Sequence, residues 1–220
     1  MSLTLHYHPL ASYCHKVLIA LYEHDVEFDK HLVDLGNAQD RAELTALWPL
    51  CKFPVLSDSQ RQQHIAEASI IIEYLDEYFP SRQRLIPGDF TTALAVRLWD
   101  RVFDNYVHEP MQQIVIDRIR NAQGDLSSAR STLDTAYRMI DKQLTDRTWI
   151  ASDEFSLADC AAVPALFYAS TLQAFPQDCK RLIDYFERLI ARPSVGRVLE
   201  EAKPYFSMYP FKDSLPARFL

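Results

Sequence analysis

Three short segments carry the residues of this chain whose types and spacing can do chemistry. They are Leu5-His6-Tyr7-His8-Pro9-Leu10-Ala11-Ser12-Tyr13-Cys14-His15-Lys16-Val17, then Lys52-Phe53-Pro54-Val55-Leu56, then Glu67-Ala68-Ser69-Ile70-Ile71. A strand ending in a tight turn, hydroxyls where a helix begins, a proline opening a strand and an acidic residue opening a helix can converge on one extended peptide ligand. The chemistry they fit is the handling of a thiol.

A free thiol with a pKa near ~8.5 is mostly protonated at neutral pH, and lowering that value by about two units takes about 2.7 kcal/mol. One hydroxyl hydrogen bond to the anion, roughly 1.5–3 kcal/mol, together with a helix N-terminus, roughly 0.3–1 kcal/mol, is enough. The first helix is expected to begin near Ala11 to Tyr13, so its leading amides point at whatever lies beyond the first strand. Tyr7, Ser12 and Tyr13 place hydroxyls there. Ser12 reads either as a plain N-cap or as a thiolate donor, and Tyr7 either as a core strand residue or as the donor. Cys14 lies one turn inside the helix and reads as a buried structural thiol rather than a nucleophile. His15 and Lys16 read as a solvated or sheet-rim face.

Pro54 can take a cis peptide bond, which would leave the Phe53 amide and carbonyl at the sheet edge to pair with an extended ligand as an added strand does. A trans proline on an edge strand is the plainer alternative. Lys52 can neutralise a ligand carboxylate. Glu67 can accept from a ligand ammonium while the Ala68 and Ser69 amides and the Ser69 hydroxyl hold a carboxylate at a helix N-terminus. Glu67 can equally complement the dipole of its own helix.

The elements that must position these groups follow from periodicity. Leu3, Leu5 and Tyr7 alternate as a strand, Val17, Leu18, Leu21 and Tyr22 recur at helical spacing, and Glu27 to Val33 alternates again with Phe28 on the inner face. Asp40 to Leu47 reads as a helix, Pro54–Ser57 and Gln62–Ile65 as a hairpin, and Glu67–Phe79 as a closing helix. The order βαβαββα implies a small mixed sheet with helices on both faces. The segment from Pro80 to Pro87-Gly88 has linker composition. The expected domains are residues 1–80, a linker over 81–89, and 90–220.

Beyond the linker the pattern is helical. Leu94, Leu98, Val102 and Tyr106 form one ladder, Leu133, Ala136, Ile140 and Leu144 another, and Leu182, Tyr185, Phe186 and Leu189 a third. Ser156-Leu157-Ala158-Asp159 reads as a capping box, with Phe155 and Cys160 placed for a hydrophobic staple. The aromatic tail, with Phe206, Tyr209, Phe211 and Phe219, is expected to pack back on the helices.

The bulk numbers exclude several classes. A net charge of −7 without a basic run argues against nucleic acid. The longest apolar stretch, Cys160 to Ala169, is too short to span a bilayer and contains Pro164. The first residues are not basic followed by apolar, so no secretory signal is expected. Cys14, Cys51, Cys160 and Cys179 are scattered without metal-ligand spacing, so no metal site is expected and reduced thiols in a cytoplasm are.

Taken together, these residues resemble the soluble (cytosolic-type) glutathione S-transferase family, in particular its bacterial members, over nearly the whole chain. The βαβαββα order is similar to its thioredoxin-like N-terminal domain, Pro54 to its cis-proline, Glu67-Ala68-Ser69 to its glutamate-serine motif, and Ser156–Asp159 to the capping box of its all-helical C-terminal domain. The resemblance implies a homodimeric, cytoplasmic detoxification enzyme that activates the thiolate of glutathione, its co-substrate, for attack on a small hydrophobic electrophile. It implies that the Phe53 backbone and Pro54 hold the cysteinyl part of glutathione and Lys52 its glycine carboxylate. Glu67, Ala68 and Ser69 take the γ-glutamyl end, and Ser12 or Tyr7 the thiolate. The electrophile is expected between the domains, beside Tyr106, His108 and Met111.

The chain departs from the family pattern in three places. Ala11 stands where serine-type members carry the catalytic hydroxyl and glutaredoxin-like members the reactive cysteine. Ala68 replaces the serine of the glutamate-serine motif, and Cys51 the glycine that commonly precedes the Lys52 position. Tyr7-His8-Pro9 instead reproduces the arrangement of tyrosine-type members. Two other readings therefore stand beside the transferase: a non-catalytic protein-binding or regulatory module, and a glutathione-dependent disulfide reductase working through Cys14 or Cys51.

Overall fold

A computed structural model describes residues 2–80 and 84–220, which fall into two units, Met1–Leu85 and Ile86–Leu220. The linker expected over 81–89 falls partly on residues 81–83, which lie outside the described residues.

The first unit runs β1 (Leu3–Tyr7), α1 (Ser12–Glu23), β2 (Asp29–Leu32), α2 (Ala38–Leu47), β3 (Val55–Asp58), β4 (Gln63–Ala66) and α3 (Ala68–Tyr78). The sheet order is β2-β1-β3-β4, with β1 parallel to β2 and antiparallel to β3, and β3 antiparallel to β4. This is the mixed sheet the periodicity implied and the thioredoxin-like arrangement the resemblance implied. Strand alternation splits the core into two layers. Leu3, Leu5 and Leu56 are buried on one face, and α1 and α3 pack against each other. On the other face Val33, Leu44 and Val55 form a cluster closed by Leu47, Trp48, Phe53 and Ala66.

Two local expectations change. β2 is an edge strand exposed along its length, because nothing beyond it pairs, and Phe28 lies before the strand, half-buried against Tyr22. β3, by contrast, is an inner strand, so Pro54 opens a strand inside the sheet rather than at its edge.

The second unit is all helical apart from its turns: α4 (Phe90–Val102), α5 (Glu109–Arg120), α6 (Ser127–Gln143), α7 (Leu157–Leu172), α8 (Lys180–Ile190) and α9 (Pro193–Ala202). α7 is buried from Leu157 to Ala169, as a helix without a polar face must be. Its start is capped as the residues suggested. The Ser156 amide donates to Asp159 Oδ2 at 2.9 Å, and the Ser156 hydroxyl donates to the same oxygen. The tail folds back, burying Phe206, Tyr209, Leu215 and Phe219, with Arg218 donating both terminal nitrogens to Glu187 at 2.7 Å.

Between α4 and α5 the chain makes a π-helical stretch over Phe103–His108. Pro110 lies just beyond it; proline offers no amide and its ring crowds the carbonyl one turn back, so the wider turn relieves the clash. The ladder Leu94, Leu98, Val102 and Tyr106 lies mostly on the outer face, with Val102 buried. Leu94, Leu98 and Tyr106 are exposed, while Ala93, Val96, Trp99, Phe103, Val107, His108 and Met111 are buried. Of the residues expected beside the electrophile, His108 and Met111 are buried and Tyr106 is exposed.

Candidate functional site

The residues singled out by type lie at one end of the sheet in the first unit. His6 pairs with Val55 and Val55 with Ala66, so Tyr7 at the end of β1, Pro54 just before β3 and Glu67 just after β4 lie at the same end of three adjacent strands. α1 begins just after this end of β1, through a turn in which the Ala11 amide donates to the His8 carbonyl at 3.0 Å. The His8 ring stacks on Phe53, with centroids 6.1 Å apart, which holds the segment before β3 against that turn.

The α1 N-cap is Ala11, whose extended backbone suits the position but whose side chain offers no cap. Ser12 is therefore the first helical residue, not the cap, and it is buried, whereas Tyr7 is half-buried. Cys14 is fully buried, and desolvation pushes its thiol up to about 12 against an opposing backbone hydrogen bond at His8. A thiol so placed is neutral at physiological pH, as a structural cysteine is.

The Phe53–Pro54 peptide bond is cis. Phe53 sits ahead of β3, and among the described residues its main-chain amide and carbonyl have no backbone partner, as an added ligand strand would require. Cys51 has φ 51° and its thiol donates to the Arg41 carbonyl at 3.7 Å. Lys52 is exposed.

Glu67 is the N-cap of α3, with φ 67° and ψ 116°. A non-glycine residue held there costs on the order of 1–3 kcal/mol, and such strain gathers at ligand-binding positions. Its carboxylate is exposed, and the amides of Ala68 and Ser69 head the helix behind it.

Lys16 and His15 do not form a solvated face. Lys16 is only 1% exposed, and its Nζ donates to Ser69 Oγ at 2.9 Å, joining the first helix to the start of the third. His15 is likewise buried, its Nε2 bonded to the Pro9 carbonyl. A signal for this was available in the chain. Val17-Leu18-Ile19-Ala20-Leu21 follow Lys16 without a polar break, and a helix apolar on every side leaves its lysine no route to water.

A second polar group lies along the sheet. Ser57 Oγ is 3.0 Å from His6 Nε2 and 2.8 Å from His64 Nδ1, and the His6 and His31 rings are 4.9 Å apart. Among the described residues no three histidine, cysteine or carboxylate side chains are arranged to hold a metal ion. Among them also, no helix is long and apolar enough to cross a membrane.

Residues 11–78 match the glutathione S-transferase N-terminal domain and residues 104–193 the glutathione S-transferase C-terminal domain. The stringent starvation protein A homolog of Coxiella burnetii is 29% identical over 203 residues, covering 91% of this chain and 93% of that protein. Glutathione S-transferase U24 of Arabidopsis thaliana is 25% identical over 191 residues, covering 84% of each. A glutathione S-transferase from Methylobacterium radiotolerans, solved in complex with glutathione sulfonate, superposes with a TM-score of 0.76 at 26% identity, over 89% of this chain and 93% of that one. With both domains matched in order and the fold shared, the chain belongs to the glutathione S-transferase family.

Proposed function

We propose that this protein is a glutathione transferase that lowers the thiol pKa of glutathione and directs the thiolate at a small hydrophobic electrophile. The observation that carries the reading is the row Tyr7, Pro54, Glu67 at one sheet end, flanked by the first turns of α1 and α3. The Phe53 main chain pairs with the cysteinyl residue of the tripeptide, with Pro54 beside it. Lys52 meets the glycine carboxylate, Glu67 the γ-glutamyl ammonium, and the Ala68 and Ser69 amides the γ-glutamyl carboxylate. Ser12 and Tyr7 are the rival hydroxyl donors to the thiolate. Of the residues expected near the electrophile only Tyr106 is exposed, and it keeps that role.

We also propose a cytoplasmic homodimer that acts in detoxification. Phe90, Leu94 and Leu98, which are 77%, 55% and 59% exposed, form an apolar stripe along α4 that a second copy can cover. All four cysteines are free thiols, as a reducing compartment keeps them.

The test is ultraviolet thiolate absorbance of glutathione mixed with the protein, followed across pH. A saturable signal with an apparent pKa near ~6–7 supports the transferase. Binding without the shift turns the reading to redox use of the tripeptide, and no binding turns it to a protein-binding module. The last has specific support in Ala11, which gives the α1 cap no side-chain hydrogen bond, and in the similarity to the stringent starvation protein A homolog. Reductase chemistry has less, since Cys14 is a neutral buried thiol and only Cys51 remains partly accessible.

A further inference from the structure

His6 and His31, which have no part in the roles assigned above, are partners in the register of β1 and β2, so both side chains stand on one face of the sheet. Their ring centroids are 4.9 Å apart. A divalent cation bonded to one nitrogen of each ring at roughly 2.0–2.1 Å, with a right-angled or tetrahedral opening, would set the ring centres about 4.5–5 Å apart. The spacing is therefore already that of a chelating pair. The Nε2 atoms face outer partners. His6 Nε2 is 3.0 Å from Ser57 Oγ on β3, and Ser57 Oγ is 2.8 Å from His64 Nδ1 on β4. Ser57 can thus accept from His6 Nε2–H while passing its own proton to His64, which leaves His6 Nδ1 bare. The two nitrogens of an imidazole point in nearly opposite directions, so with Nε2 turned to β3 the Nδ1 turns to β2, where His31 stands. His31 Nε2 lies 3.9 Å from Glu43 Oε2 on α2, and the other oxygen of that carboxylate accepts from Gln39 at 2.9 Å. Among the described residues neither Nδ1 has a hydrogen-bond partner. The His31 side chain is 44% exposed, which leaves the pair open to an ion from solvent.

We propose that His6 Nδ1 and His31 Nδ1 together bind an exchangeable divalent cation of the nickel, copper and zinc class, with Ser57 and Glu43 orienting the two rings. Histidines that ligate a metal commonly have their second nitrogen held by an outer partner of this kind. Two imidazoles fall short of the three-ligand groups that hold a resident metal, so water completes the shell. Neutral nitrogen ligands favour these cations over magnesium and calcium, which take oxygen. The site uses none of the residues assigned to glutathione and does not depend on that reading.

The experiment is isothermal titration of Ni²⁺ into the full chain near neutral pH, without and with excess Mg²⁺. The unaltered protein should bind Ni²⁺ saturably in both cases. His6→Asn and His31→Asn should each weaken binding at least about tenfold, because removing one ligand of a chelating pair forfeits the effective concentration of the other. Glu43→Gln, which removes an outer partner, should weaken it by up to about tenfold, and His64→Asn should stay within about twofold. His31 lies on the exposed strand β2, so His31→Asn decides the matter if His6→Asn does not fold. Absence of saturable binding, displacement of Ni²⁺ by Mg²⁺, or a loss as large in His64→Asn as in His31→Asn would overturn the proposal. So would a loss below about twofold in His31→Asn, which would mean an adventitious ion only.

Discussion

The Tyr185 hydroxyl on α8 donates to Asp159 Oδ1 at 2.6 Å, inside the core of the second unit. The same carboxyl group accepts from the Ile150 amide at 3.2 Å and from the amide and hydroxyl of Ser156. One side chain therefore fastens the start of α7, the segment before it and α8. Burial raises the Asp159 pKa, while the hydrogen bonds from Tyr185, Ile150 and Ser156 pull the other way. Asp159→Ala strands four donors at once and should cost about 3–5 kcal/mol of stability by urea denaturation. Tyr185→Phe should cost about 1–2 kcal/mol. A loss below 1 kcal/mol for Asp159→Ala would show that the network adds little.

His6 supplies a pH dependence. Its pKa is pushed down to about 4, first by burial and then by His31 and His64, with Glu43 on α2 opposing. The unfolded chain takes up this proton near 6.5, so between 6.5 and about 4 it binds more protons than the folded one. Stability should thus be full above that window and decline as pH falls through it, by on the order of 1 kcal/mol once solvent screening of a half-buried ring is allowed for. His6→Asn should flatten the decline in the urea midpoint measured from pH 7 to 4.5. An unchanged slope would assign the dependence to other groups.

The four thiols should differ in reactivity. Cys14 is enclosed with its pKa near 12, and Cys160 and Cys179 are buried, whereas Cys51 is partly exposed. Iodoacetamide applied to the native protein at neutral pH should label Cys51 first and leave Cys14 unmodified until unfolding, as read by peptide mass spectrometry. Early labelling of Cys14 would contradict its enclosure.

Ala11→Ser should stabilise the protein by about 1 kcal/mol, because the cap backbone is already extended and the new hydroxyl can accept from the first turn. Equilibrium urea unfolding measures the gain.

For the proposed transferase chemistry, Ser12→Ala combined with Tyr7→Phe should lower glutathione conjugation at least about a hundredfold with the melting transition preserved, since a positioned hydrogen bond to a developing anion contributes on that scale. Assay with a chromogenic aryl halide gives the rate. Retained activity would place thiolate activation elsewhere.

The fold was legible where periodicity and punctuation agree. Leu3, Leu5 and Tyr7 marked β1 to its ends, the Leu56 and Ile65 strands marked the hairpin within a residue or two, and Ser156–Asp159 marked the start of α7. Lys16 was misjudged because residue type was weighed above its neighbours, and only packing of α1 against α3 encloses it. Leu94 and Leu98 marked α4 correctly, but a ladder of leucines identifies a helix and not which side faces its neighbours, and here the buried side is built around Trp99, Phe103 and Val107. Pro54 was read at the sheet edge because strand order is a long-range property that no local pattern carries.

The π-helical stretch ahead of Pro110 has a bearing on how this chain tolerates length change. A π turn holds about one residue more than the α turn it replaces, so the segment that follows keeps the facing that a regular α-helix one residue shorter would give it. Deleting one residue between Phe103 and His108 and letting the stretch relax to α-helix would thus leave Met111, Ile114 and Val115 turned to the core and Ile116 and Ile119 to solvent. The extra residue is absorbed locally, and the stretch is a place where a single-residue deletion should be tolerated better than within α4 or α5.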